Sequence, residues 1–342
     1  MQKTKIEWAD YTSNPIRFCD EQGNTVWGCV PVSEGCRNCY ASAQNNRFNK
    51  NHFSAQNMRR LTSYLDEKEL DALLKSRAIK DKRVFIGDMT DLFGEWVTDE
   101  FLDQLFAVLL YLPDTTFQLL TKRPERMKGY ISSIASVAVD TERDQVIFDL
   151  WRSHYAESYG QQPWPSSHIW LGCSAENQKT YDDRWGHLAR LRKMGWTTFL
   201  SLEPLLGPID LRLSSRDLQP DWVIVGGESG PKARPMHPQW ARELRDQCVA
   251  AKVPFFFKQW GVYLPTCQLQ TEQQRIWMLS GNNAIPTRTP EDILDLESGQ
   301  ERMEHYRIGK KLAGRLLDGR EWNEYPLPVH MANHGQVDED NY

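Results

Sequence analysis

The chain reads as an α/β protein of repeated β/α units, a partial or near-complete TIM-like barrel of parallel strands followed by a C-terminal extension. Three observations carry this reading. Six short apolar runs of strand length recur between residues 83 and 258, each ends abruptly in polar residues or glycine, and stretches of helical spacing lie between them. Runs rich in Val, Ile, Phe and Leu without polar alternation suit strands buried on both faces, as parallel strands are. A doubly wound open sheet is the main competing arrangement.

In chain order, a first strand is expected at residues 5–8, ahead of a cysteine-bearing loop. Residues 16–26, with a Gly23-Asn24 turn, read as a hairpin-like insertion before that loop. The six runs then fall at 83–88, 116–121, 168–173, 197–201, 221–226 and 253–258. After Asp88, Thr98 is placed to cap a helix with Asp99 and Glu100 in its first turn and Leu102, Leu105, Phe106 and Leu109 along one side. Pro238 suits the first turn of a helix in which Trp240, Leu244 and Cys248 recur every four residues, which puts Cys248 in a core. Residues 131–167 are too long for a simple connection and read as an added helix, with Pro163 and Pro165 marking its exit. The chain thus divides into a barrel-like part, 1–261, and an extension, 262–342. In the latter, residues 290–294 and 309–317 read as short helices of a cap or lid and 337–342 as a frayed acidic tail.

Composition sets limits without naming a function. With 342 residues, 40% hydrophobic and 25% charged, the chain can bury a large core. No apolar run approaches the ~20 residues that span a bilayer. A formal charge of -5 gives no global attraction to nucleic acid or anionic membrane, so any such contact needs a local basic patch. Seven cysteines, an odd count, and the absence of a signal-like opening segment suit a reducing cytoplasm better than a disulfide framework.

The cysteines are the densest chemical signal. Cys29, Cys36 and Cys39 lie within eleven residues, spaced as Cys-x6-Cys-x2-Cys in a loop punctuated by Gly28 and Gly35. Three clustered thiolates can hold three irons of a four-iron four-sulfur cluster and leave the fourth iron open. A structural zinc is the alternative; it needs a fourth ligand, which Cys19 or His52 could supply. Cys173 reads as a small packed residue.

In a βα fold the site forms where the strands end. Gly87-Asp88, Lys122-Arg123, Glu176-Asn177, Glu203, Gly226-Gly227-Glu228 and Lys258 all follow strand runs, so acids, bases and glycines are expected to share one mouth with the cysteine loop. Glu203 stands out because a carboxylate at a barrel strand's end is costly unless paired or used. Asp88, Glu203 and Glu228 would also suit a metal-dependent hydrolase. Lys122, Arg123, Arg126, Lys128 and Lys258 are the candidates for a basic patch.

Together these segments resemble a phage-associated, DUF5131-type family. The resemblance rests on Ile6-Glu7-Trp8 with Asn14-Pro15, the three cysteines with Gly35 and Tyr40, Asp91-Leu92-Phe93, residues 120–127, Trp170-Leu171-Gly172 with Glu176-Asn177, residues 203–209, residues 226–230 and residues 256–261. That family is similar to radical S-adenosylmethionine (SAM) enzymes in its three-cysteine motif and predicted barrel. The resemblance implies that Cys29, Cys36 and Cys39 ligate a 4Fe-4S cluster whose open iron chelates SAM. A reduced donor such as flavodoxin or ferredoxin would supply the electron that cleaves SAM, and the resulting 5'-deoxyadenosyl radical would abstract a substrate hydrogen. By position, Gly87 and Asp88 would meet the methionine amino group and Lys122 or Arg123 its carboxylate. Glu203 would meet the ribose, and Glu176, Gly226 and Gly227 would also border the cofactor; Glu203, Glu228 and Lys258 are the catalytic candidates. The implied substrate is a nucleic-acid base or its substituent, with phage DNA hypermodification in the host cytoplasm as the leading case and a partner protein allowed for. A six-residue first gap and an aromatic after the last cysteine depart from the best-known radical SAM spacing. They keep open the alternative of a zinc-stabilised, noncatalytic binding protein.

Overall fold

A computed structural model describes residues 1–49, 52–135, 165–279 and 305–326. The first strands in the chain are β1 (Gln2–Lys3), β2 (Tyr11–Ser13), β3 (Ile16–Cys19), β4 (Thr25–Val26) and β5 (Thr62–Leu65). The apolar runs form β6 (Arg83–Ile86), β7 (Thr116–Thr121), β8 (Ile169–Ser174), β9 (Thr197–Leu202), β10 (Trp222–Gly226) and β11 (Phe255–Gln259). Eight of these make one sheet in the order β1-β2-β6-β7-β8-β9-β10-β11. β1 pairs antiparallel with β2 and every other pairing is parallel. Each parallel strand adds on the same side as the one before it. No reversal of order creates a switch point, which removes the doubly wound alternative.

The sheet curls into a half barrel. Four strand spacings separate β6 from β10, about 19 Å if the sheet were flat. Yet the ring of Trp8 lies 4.8 Å from that of Phe85 on β6 and 6.3 Å from that of Trp222 on β10. The concave face carries Phe85, Trp170, Phe199, Trp222, Ile224 and Phe256 around Trp8. Alternate residues Val84, Ile86, Leu119, Leu171, Val223 and Val225 face the other way, in one core with Leu105 and Leu109, Leu188 and Leu191, and Leu244 and Cys248. Those six come from the helices Asp99–Tyr111, Gln178–Lys193 and Pro238–Ala251. Both faces are therefore dry, which is why the strands lack alternation in sequence. Thr98 caps its helix, its hydroxyl accepting from the Phe101 N–H, and Pro238 opens the helix that buries Cys248.

The first strand differs from expectation. Residues 5–6 are irregular and 7–8 form a turn, and the strand parallel to β6 is β2, Tyr11–Ser13. Trp8 is a plug in the concave face, whereas β2 is short and polar. The expected hairpin is present: β3 pairs antiparallel with β4, and β5 joins on the other side to give a three-stranded sheet.

After β11, β12 (Tyr263–Pro265) pairs with β13 (His305–Arg307). The chain then runs back beside β11, where Trp322 O accepts from Phe257 N at 3.0 Å and Glu324 N donates to Phe255 O at 3.2 Å. That covers an edge that would otherwise offer unpaired backbone groups. Lys310 pairs with Glu7 at 2.8 Å and the Arg83 guanidinium lies 4.1 Å over the Tyr325 ring, so the segment also reaches the first strands. Asp318 is held by Arg242 and Arg245 of the helix Pro238–Ala251. Hydrogen bonding to Arg242 keeps its carboxyl well below the usual range. Lys310–Ala313 is one helical turn within the expected 309–317. The expected exit at Pro163, residues 290–294 and the tail 337–342 lie outside the described residues, as does most of 131–167.

Candidate functional site

Cys29, Cys36 and Cys39 occupy the loop between β4 and the helix Tyr40–Asn49, with Cys36 closing a 3-10 turn, Glu34–Cys36. All three are free, partly buried thiols. Their loop is clasped by the ends of the parallel strands at three separate points.

The first clasp grips Cys29. Asp91, beyond β6, accepts from Thr121 Oγ1 at 2.6 Å, Lys122 N at 3.0 Å and Arg123 Nη1 at 3.1 Å. Arg123 lies 4.7 Å over the Trp96 ring and donates through Nη2 to Val30 O at 2.8 Å. On the other side of Cys29, Thr90 Oγ1 donates to Gly28 O at 2.6 Å.

The second clasp lies before Cys36. Glu176, fully buried after β8, accepts from Lys122 Nζ at 3.0 Å, Arg184 Nη1 at 3.1 Å and Ser33 Oγ at 2.7 Å. Burial works to raise this carboxyl's pKa, but Lys122 and Arg184 outweigh it and hold the group below its ordinary value. Gly35 packs so closely on Glu176 that any Cβ there would collide with the carboxylate.

The third clasp lies before Cys39. Glu228, beyond β10, takes a bidentate grip from Arg234, with Nε at 2.9 Å and Nη2 at 2.7 Å, and accepts from Asn38 Nδ2 at 3.0 Å. Arg234 reaches on to Glu34 at 3.0 Å. Beyond Cys39, Tyr40 donates its hydroxyl to Asp88 O at 2.6 Å and Oδ2 at 3.1 Å, and Asn14 Nδ2 donates to Asp88 Oδ1. Burial leads in raising the Asp88 carboxyl.

Glu203 is different. Lys258 Nζ and Ser201 Oγ both donate to its Oε2, at 3.0 and 3.3 Å, while its buried Oε1 has no hydrogen-bond partner. Gly226 faces that oxygen, and a Cβ there would crowd it. Gly227 serves the backbone instead: its N–H donates to Gln259 O at 2.8 Å and a Cβ would strike the Trp260 carbonyl. Gly87 ends β6 at φ 82°, with Leu92 where a Cβ would go.

The expected residues are therefore brought to the strand ends, but most are already engaged with protein. Lys122, Arg123 and Lys258 each hold a carboxylate, and Arg126 is spent on the carbonyls of Gly94 and Val97 and on Asp99. The expected basic patch is thus neutralised at four of its five members. Asp88, Glu203 and Glu228 have separate partners rather than a common focus. Cys19 pairs with Thr25 and Thr62 in the small sheet, and Cys173 lies in the core, where burial pushes its thiol up to about 12. Among the described residues no three His, Cys, Asp or Glu side chains are placed to hold a metal ion. Sequence reading did not single out Ser33, Asn38, Arg184 or Arg234. Arg184 alone left a local signal, a charge on the buried side of a helix with Tyr181, Trp185 and Leu188.

Three free thiols in one loop are soft donors, but among the described residues they are not placed as a ready metal-holding group. Burial, then Asp91, pushes the Cys29 thiol up to about 12, and burial also raises Cys39. Thiols so placed become thiolates when a cation is bound beside them.

A singly wound parallel sheet with a thiol-bearing loop clasped over its strand ends defines an α/β protein with one chemically dense mouth. The chain belongs to the DUF5131 family, described as proteins of unknown function, which it matches over residues 3–326. No curated protein and no solved structure matches it.

Proposed function

We propose that this protein is a radical SAM enzyme acting on a nucleic-acid base or its substituent. The observation that carries the reading is the triple clasp: a loop with three free thiols is fixed on both sides of each cysteine by groups from different strand ends. Such prior ordering suits a ligand shell that must not collapse when loaded. Cys29, Cys36 and Cys39 would hold the 4Fe-4S cluster, which when loaded supplies the electron for SAM cleavage and so the route to hydrogen abstraction.

The chain's own groups bind and orient. Glu203 Oε1 is the open acceptor for a ribose hydroxyl, Lys258 holds that carboxylate in place through Oε2, and Gly226 leaves the space. Gly87 and Asp88 are assigned to the methionine amino group. Lys122, Arg123, Glu176 and Glu228 act through the loop, and Gly227 through the backbone crossing, rather than on the cofactor. A reduced flavodoxin or ferredoxin is the proposed donor, and the host cytoplasm of a phage the proposed setting. No helix among the described residues is long and apolar enough to cross a membrane.

Anaerobic reconstitution with iron and sulfide tests this. About four irons per chain are expected, lost in Cys36→Ala, with an electron paramagnetic resonance spectrum that shifts on adding SAM. Stoichiometric zinc without a cluster would overturn the reading in favour of a zinc-stabilised binding protein.

A further inference from the structure

From Gly35 to Leu65 the chain contains no Asp or Glu but five cationic residues, Arg37, Arg47, Lys50, Arg59 and Arg60. That is a local charge of +5 in a chain of net charge -5. The segment follows the cysteine loop directly. Its helix Tyr40–Asn49 buries only Ala41 and Asn45. Phe48 is 73% exposed and Tyr40 46%, large aromatic surface for a soluble face, and Arg47 stacks 5.5 Å over the Phe48 ring. None of Arg37, Arg47, Arg59 or Arg60 forms an ion pair among the described residues, in contrast to the neutralised cations of the mouth. Lys232 stands beside the same loop, its carbonyl accepting from Asn38 Nδ2 at 2.7 Å.

We infer that this segment, in which Arg37, Arg47, Phe48, Arg59 and Arg60 are all exposed, docks an unpaired nucleic-acid strand and leads it to the mouth. Unpaired cations meet phosphates and release counterions, while an exposed ring stacks on a base whatever its identity. A duplex would shield its bases from Phe48, and a base must leave the stack to enter a strand-end mouth. The inference rests on the proposed function only for the strand's destination; docking itself needs neither iron nor SAM.

The test is fluorescence anisotropy of the full chain with a labelled single-stranded oligodeoxynucleotide and with the matching duplex, over a salt series. Expected are tighter binding of the single strand and affinity that falls with salt. Arg59→Glu with Arg60→Glu should weaken binding by about tenfold or more, with a shallower salt dependence. Phe48→Ala should weaken it about fivefold or more and leave the salt dependence unchanged. All three substitutions lie on exposed side chains, and thermal melting checks the fold. Lys179→Glu with Lys193→Glu, on the helix Gln178–Lys193 rather than in residues 35–65, should leave binding unaltered. Preference for duplex, indifference to both sets of variants, or no salt-dependent binding would overturn the inference. Cys36→Ala separates the two readings, because it should abolish the cluster and preserve docking.

Discussion

Glu176 and Glu203 both follow parallel strands, and both are carboxylates withdrawn from water, yet they are built for opposite ends. Glu176 is saturated: Lys122, Arg184 and Ser33 meet both of its oxygens, and Gly35 presses the cysteine loop on top of it. Glu203 is half satisfied, with Lys258 and Ser201 on one oxygen and nothing on the other. A buried acceptor left unmet costs stability. The difference separates a carboxylate closed by the clasp on the cysteine loop from one with an oxygen still open, a condition Glu203 shares with Glu7, Gln118 and Gln259 among the described residues.

The strongest way to break that distinction is Glu176→Ala. It strands Lys122 and Arg184 as partly buried cations, and a loss of about 3–5 kcal/mol is expected in urea unfolding. A loss under about 1 kcal/mol would mean the clasp is ornamental. Gly35→Ala leaves the charges in place but pushes a methyl against the carboxylate. About 1–3 kcal/mol should be lost, together with faster protease cleavage in residues 30–38.

Acid titration sharpens the same point. Because the folded-state pKa of Glu176 lies below its ordinary 4.5, its contribution is fully present above that pH and is lost as pH falls toward the folded value. Asp88 runs the other way. Its raised pKa favours the fold below its ordinary 3.8, and that advantage disappears as pH rises through the folded value. The stability profile of Glu176→Gln should therefore be flatter than wild type on the acid side of pH 4.5.

Glu203→Gln should cost only about 1 kcal/mol of stability, since its pair with Lys258 is partly solvated. In the reconstituted protein it should nonetheless weaken SAM binding by about tenfold or more, as loss of a charged acceptor does. Unchanged SAM affinity would sink the role given to Oε1. Smallest of all, breaking the exposed Lys179–Asp183 pair with Lys179→Ala should change stability by only about 0.3–0.5 kcal/mol.

What the sequence made legible follows from the range of the interactions involved. All six apolar runs became strands of the sheet, because burial on both faces writes itself into consecutive residues. Thr98, Pro238 and Cys248 were readable for the same reason: caps and helical periodicity act over four residues or fewer. The first strand was misplaced because Trp8 is apolar for the sake of the barrel interior, while Tyr11–Ser13 gains its partner only when β6 arrives some seventy residues later. The loop clasps were invisible for a like reason. Ser33 and Glu176, or Asn38 and Glu228, are joined across 143 and 190 residues of chain, and a strand-end Glu looks alike in sequence whether saturated or open.

The return of residues 305–326 along β11 has a bearing on how the protein is made. During synthesis every parallel strand emerges before the segment that covers the last of them, so a nascent chain carries a bare, strongly aromatic edge, Phe255 to Phe257, until the ribosome has released residue 324 or so. A chain stopped before residue 305 keeps that edge permanently and is expected to pair with its own copies into insoluble material. Timing of translation, and the chaperones that guard it, thus bear on whether the mouth is ever assembled.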